Sequence, residues 1–171
     1  MVTHAPAPKI ACRNVYKIFG ANPQNARELV DAGKTKAEVL RETGMTVGVC
    51  DASLDIREGE IFVVMGLSGS GKSTLVRLLN RLIAPTFGAV EIEGTDITGM
   101  SPRELIQLRR QRMAMVFQSF ALLPHRTVLD NAAFGLEIAG IDKASRYERA
   151  QKAIETVGLG ANSDSYPGEL S

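Results

Sequence analysis

The stretch Gly66-Leu67-Ser68-Gly69-Ser70-Gly71-Lys72-Ser73-Thr74 fits the spacing G-x-x-x-x-G-K-[ST], with Gly66, Gly71, Lys72 and Ser73 at the fixed places. These residue types suit the cradling of a polyphosphate. The glycines let the backbone wrap an anion, so that several N–H groups converge on phosphate oxygens. A helix starting near Lys72 adds the positive end of its dipole. Lys72 brings a flexible point charge to the β- and γ-phosphates. Ser73 offers a hydroxyl to the Mg²⁺ that bridges them, and Thr74 adds a contact to the α-phosphate. Ser68, Gly69 and Ser70 complete the loop. Two rival motifs fail on spacing. A dinucleotide-binding G-x-G-x-x-G needs glycine where Thr74 stands, and no G-x-S-x-G elbow fits around Ser68 or Ser70. Asp96-Ile97-Thr98-Gly99 has the D-x-x-G spacing of GTPases, but the chain has no N-K-x-D to read guanine.

A phosphate loop needs a strand before it and a helix after it. Ile61–Met65 is a continuous apolar run that reads as a central strand buried on both faces. After the loop, Leu75, Leu78, Leu79 and Leu82 fall on one helical face, with Pro85 and Gly88 as the expected end. Upstream, Lys9–Phe19 alternates as a strand closed by Gly20. Residues 21–46 read as an inserted helical pair: Pro23 marks one start, Thr35 and Glu38 have capping-box spacing, and Gly44 marks an end. Strand character resumes over 46–56, followed by the turn Arg57–Glu60. Downstream, Val90 and Ile92 alternate with Glu91 and Glu93 as a half-exposed strand. Ser101-Pro102-Arg103-Glu104 starts a helix, and Met113–Phe117 reads as another buried strand. Thr127 and Asp142 cap two further helices, with Gly140 and Gly158 past their ends; Ala144, Tyr147, Ala150, Ile154 and Val157 share a face of the second. The order implies an α/β layer with an antiparallel strand-rich flank and a helical appendage.

Bulk properties narrow the class. The length of 171 residues fits one domain, or a domain and part of another. A formal charge of +1 gives no electrostatic case for wholesale nucleic-acid binding. Cys12 and Cys50 have no metal-ligand spacing and read as buried or free thiols in a reducing compartment. Residues 1–20 lack a signal-peptide pattern, and no apolar window is long enough to span a membrane. The expected location is therefore cytoplasmic, with a membrane partner allowed. His125 reads as a surface or subunit-contact residue, the LRRQR run at 108–112 as a solvated helix face, and His4 as part of a loose tail over 1–8.

In series, GLSGSGKST, GAVEIEGTDI, MVFQSFALLPHRTVLDNAAFG and YPGELS resemble the nucleotide-binding subunit of an ABC transporter. The resemblance implies ATP and Mg²⁺ as cofactors. It makes Gln118 the start of the Q-loop, touching Mg²⁺ and the attacking water and relaying nucleotide state to a membrane subunit. It implies that adenine stacks on an aromatic residue at the end of an early strand, here Phe19, with Tyr16 as the nearest competitor. The insert at 21–46 and the flanking motifs resemble one branch, the ATPase subunits of glycine betaine/proline importers. From about residue 9 that likeness runs along nearly the whole chain. It implies quaternary-ammonium or proline-like compatible solutes as cargo. The implied partners are a second ATPase subunit, a transmembrane permease and, indirectly, a substrate-binding protein, at the cytoplasmic face of the inner membrane.

The implied fold is an incomplete ABC ATPase domain. It has a P-loop NTPase (RecA-like) core with an antiparallel β flank over 9–118, and a partial helical subdomain over 119–171. Leu170 and Ser171 resemble the opening of the LSGGQ-like signature. The Walker B carboxylates, catalytic glutamate and switch histidine are expected beyond residue 171, so the catalytic set is incomplete. The 171-residue chain alone is expected to bind Mg-nucleotide weakly and to be inactive. The alternatives are a non-catalytic nucleotide-binding module that pairs with a full subunit, and a small-molecule kinase.

Overall fold

The computed structural model describes residues 7–117 and 122–170. The expected N-terminal tail therefore lies mostly outside the described residues. The chain divides into two compact units, with the division in the sequence between Gln107 and Leu108.

The first unit is built on a four-stranded antiparallel sheet in the order β2-β1-β3-β4. The strands are β1 (Ile10–Phe19), β2 (Thr46–Ile56), β3 (Phe87–Ile92) and β4 (Thr95–Asp96). Between β1 and β2 the chain forms α1 (Pro23–Asp31) and α2 (Lys36–Thr43), the expected helical pair. Local chemistry sets their limits. Pro23 stands in the first turn of α1, where its missing N–H costs nothing. Thr35 and Glu38 close a reciprocal capping box on α2, and Gly44 ends it in the left-handed region at φ 70°. The pair buries Ala26, Val39 and Met45 against Ile18 and Val47, which are register partners on β1 and β2. Leu29, Val30 and Phe87 pack around this cluster. The insert is thereby fixed to the sheet end that carries Phe19 and Thr46.

α3 (Lys72–Leu79) follows the phosphate-loop sequence and buries Leu78. It stops before the expected end. Asn80 is its C-cap, Arg81 takes a left-handed φ of 57°, and Leu82 lies past the helix and exposed. Gly88 is not a helix stop but a residue of β3. α4 (Pro102–Arg112) starts at the expected box, with Ser101 N–H donating to Glu104 Oε2 at 2.8 Å.

In the second unit α5 (Val128–Ile138) and α6 (Lys143–Thr156) pack together, and Val128, Ala133, Ala150 and Ile154 are their buried residues. Thr127 and Asp142 cap them as expected. Ala144 and Val157, expected on the packed face of α6, are exposed instead. The segment after α6 returns to the start of α5, where Val128 N–H donates to the Ser165 carbonyl at 2.8 Å.

Both runs expected as buried strands are different in the structure. Neither 61–65 nor 113–117 is in a strand. Ile61 is 91% exposed and Val116 96% exposed. A strand buried on both faces needs hydrogen-bonding neighbours on its edges and cover on its faces. Among the described residues the four strands pair with one another, and none offers a ladder to either run.

Candidate functional site

The loop at 66–71 leads into α3 through Gly71, the helix N-cap, at φ 104°. A Cβ at Gly71 would stand 2.2 Å from the Gly48 carbonyl oxygen of β2. Glycine is required there twice over, for the dihedral and for the close approach. Gly48 is tight on its other side. A Cβ there would meet the Phe19 ring at 2.9 Å and the Thr74 methyl at 3.2 Å. Glycine within a strand marks this kind of close approach. The pair draws the loop, β2 and the end of β1 together.

The first intrahelical bond of α3 runs from Leu75 N–H to the Gly71 carbonyl at 2.8 Å. The N–H groups of Lys72, Ser73 and Thr74 are therefore at the open positive end of the helix. Lys72 Nζ folds back over the loop and donates to the carbonyls of Gly66 and Leu67, each at 2.7 Å. A cleft of about 340 Å³ opens here. Ser68, Gly69, Gly71, Lys72, Ser73 and Thr74 form one wall, and Phe19 with Thr46, Val47 and Gly48 forms the other. Among the described residues no carboxylate and no histidine lines it. Backbone N–H groups, hydroxyls and one ammonium make it a site for an anion. The hydroxyls of Ser68, Ser73, Thr74 and Thr46 are the side-chain oxygens among the residues lining it. Among the described residues no group of three His, Cys, Asp or Glu side chains could hold a metal by itself.

Phe19 is 44% exposed at the mouth of this cleft, with Lys17 Nζ 5.0 Å from its ring centroid. Tyr16 is placed elsewhere. It is buried, its hydroxyl donates to Asp31 Oδ1 at 3.1 Å, and its ring meets Phe87 edge-on at 6.2 Å. Tyr16 therefore ties α1 to the sheet, and of the two aromatic candidates it is Phe19 that lines the cleft.

Gly66 and Ser70 line a second hollow of about 340 Å³, which also takes in Gly71, Lys72 and residues that sequence reasoning did not single out for a site, Lys36, Val49 and Val64 among them. Thr46, Val47 and Gly48 were missed in the same way. The glycine in mid-strand was the one available signal. Cys50 also lines this hollow, and burial followed by the charge of Asp51 pushes its thiol up. Cys12 is fully buried, and burial pushes it up to about 11. Asp96 of the GTPase-like spacing accepts from Thr98 N–H at 2.7 Å in a local turn and lines neither hollow. His125 is exposed. Gln118 and Ser171 lie outside the described residues. Leu170 follows the short turn Pro167–Glu169 in the second unit.

The ABC transporter family model matches residues 49–171. The glycine betaine/proline betaine transport system ATP-binding protein of Escherichia coli (strain K12) is 58% identical over 96% of this chain and 41% of its own length. The trimethylamine N-oxide transport system ATP-binding protein of Ruegeria pomeroyi is 51% identical over 96% of this chain and 48% of its own length. The chain thus spans less than half the length of either relative. A solved dimeric ATP-binding cassette, in a post-hydrolysis state bound to ADP and Pi, superposes with a TM-score of 0.75 at 26% identity. That match covers 95% of this chain and 63% of the solved one.

Proposed function

The chain belongs to the ABC transporter family, and from that premise we propose that it is the front part of the ATP-binding subunit of an importer for compatible solutes. The observation that carries the reading is the cleft, with a phosphate loop on one wall and a half-exposed aromatic ring on the other. MgATP fits both walls. Its polyphosphate meets the N–H groups at the start of α3 and the Lys72 ammonium, and its base meets the face of Phe19. Ser73 is the residue that would share Mg²⁺ with the phosphates. Mg²⁺ held there would supply neutralisation of the phosphate charge. Lys72 must give up the Gly66 and Leu67 carbonyls to reach the phosphates, and the ordering of the loop follows that exchange of partners.

The proposed cargo class rests on the relatives. Their names join betaines and trimethylamine N-oxide, small dipolar solutes that carry a fully substituted nitrogen. The proposed assembly has a second ATPase subunit and a membrane permease, served by a substrate-binding protein, at the cytoplasmic face of the inner membrane. Among the described residues no helix is long and apolar enough to cross a membrane. Gln118 and the Leu170-Ser171 signature start belong to this proposal as coupling and γ-phosphate elements. We further propose that the 171-residue polypeptide by itself binds nucleotide without normal turnover.

Titration with a fluorescent ATP analogue in the presence of Mg²⁺ tests the reading. Saturable binding, weakened about ten- to hundredfold by Lys72→Ala, is the expected result. Absence of binding by the wild-type chain would overturn it. Steady phosphate release at an ordinary transport-ATPase rate, abolished by Lys72→Ala, would overturn the claim of binding without turnover.

A further inference from the structure

The side chain of Lys36 brings the helical insert to the phosphate loop. Lys36 is the first residue of α2, and its Nζ lies 3.2 Å from the Gly48 carbonyl and 3.4 Å from the Ser70 carbonyl. We infer that Lys36 is a positioning residue for the phosphate loop, tying the insert to β2 and to the loop with one ammonium group. The inference rests on the nucleotide reading of the cleft and adds to it a role for the insert.

Three features support it. A loop whose N–H groups turn inward toward an anion turns carbonyls outward, and those carbonyls need donors. Lys72 supplies them to Gly66 and Leu67, and Lys36 supplies one to Ser70. When Lys72 extends toward phosphate, its two carbonyls lose that donor, whereas Lys36 can stay on Ser70. Second, Lys36 is delivered by architecture. The Thr35 cap fixes the start of α2, and Val39 and Met45 bury against Val47, the residue before Gly48. Third, Gly48 is also the point where the backbone meets Gly71, so the Lys36 ammonium bonds the same carbonyl that sets the loop's approach to β2.

The test uses the 171-residue protein with Lys36→Ala, Lys36→Met and Lys36→Arg. Two quantities are measured: MgATP affinity by titration, and amide hydrogen exchange across residues 66–74 without nucleotide. The expected result is MgATP binding about three- to tenfold weaker in the Ala and Met variants, with faster exchange across the loop. Lys36→Arg keeps a cation with several donors and restores both within about twofold. Melting temperatures stay within about 2 °C of wild type, as for an exposed surface position. Loop exchange in Lys36→Met equal to wild type would overturn the inference. So would an Arg variant as impaired as the Met variant, since the ammonium contact would then not be the cause. If the wild-type chain binds no nucleotide, the reading of the cleft fails on its own. The exchange comparison still decides the tether, upheld by faster loop exchange in Lys36→Met and overturned by none.

Discussion

Two glycine-mediated contacts hold the proposed site together, and each predicts a distinct failure. Gly71→Ala would place a methyl 2.2 Å from the Gly48 carbonyl at a φ of 104°. Backbone on both sides leaves little room for relief, and the dihedral adds strain of about 1–3 kcal/mol. The expected outcome is a lower urea midpoint together with loss of nucleotide binding. Phe19→Ala separates the base from the phosphates. Stacking on an aromatic face is worth about 1–3 kcal/mol, so ATP affinity should fall about fivefold to a hundredfold. Tripolyphosphate, which has no base, should bind the variant as it binds wild type. Equal loss for both ligands would place Phe19 in the support of the loop and not under the adenine. The phosphate loop was legible in the sequence because its chemistry is contiguous from Gly66 to Thr74. Lys36 was not, because its partners stand 12 and 34 residues away and meet it only once the insert docks.

Among the elements, capping chemistry was readable and strand pairing was not. The boxes at Thr35 and Ser101 and the caps at Thr127 and Asp142 each act within one turn of chain, so the sequence contains both partners. The runs 61–65 and 113–117 announce apolar surface but cannot name the strands that would pair with them. That information is non-local, and among the described residues no ladder reaches them. The caps also predict how stability depends on pH. Bonds from the Thr35 backbone N–H and hydroxyl hold the Glu38 carboxyl below its ordinary range. The Ser101 hydroxyl and backbone N–H do the same for Glu104, as do the Ser145 backbone and hydroxyl for Asp142. A carboxyl whose folded pKa is depressed favours folding above its unfolded value. That contribution is lost as pH falls through the folded value. Stability should therefore hold from neutral pH down to the ordinary carboxylate range and decline below it. Glu38→Gln should lower the urea midpoint at pH 7 and leave it close to wild type at pH 3. Thr35→Ala, which removes the cap itself, should cost about 1 kcal/mol at pH 7.

For the whole molecule, the apolar approach to the phosphate loop is an exposed feature among the described residues. Ile61, Phe62, Val63, Met65 and Leu67 are all exposed, and Ile61–Met65 contains no charge and no proline. Such a run has the composition of a self-pairing segment. The 171-residue polypeptide should therefore associate as concentration rises and bind an apolar dye in its folded state. Replacing Ile61 and Val63 with lysine should shift sedimentation toward monomer and lower the dye signal, because buried charge opposes pairing of identical strands. Nucleotide should act differently. Its cleft is formed by Phe19, β2 and the start of α3, and the run does not line it. MgATP at about one hundred times its dissociation constant should stabilise the fold by about 2.7 kcal/mol through mass action. The dye signal should stay where it was, because the ligand covers none of the exposed run. A dye signal that fell in step with nucleotide occupancy would instead show that loop ordering reaches back into the segment before Gly66. The phosphate cradle and the apolar approach would then be one cooperative element, and the run would be a strand that forms only when the cradle is filled.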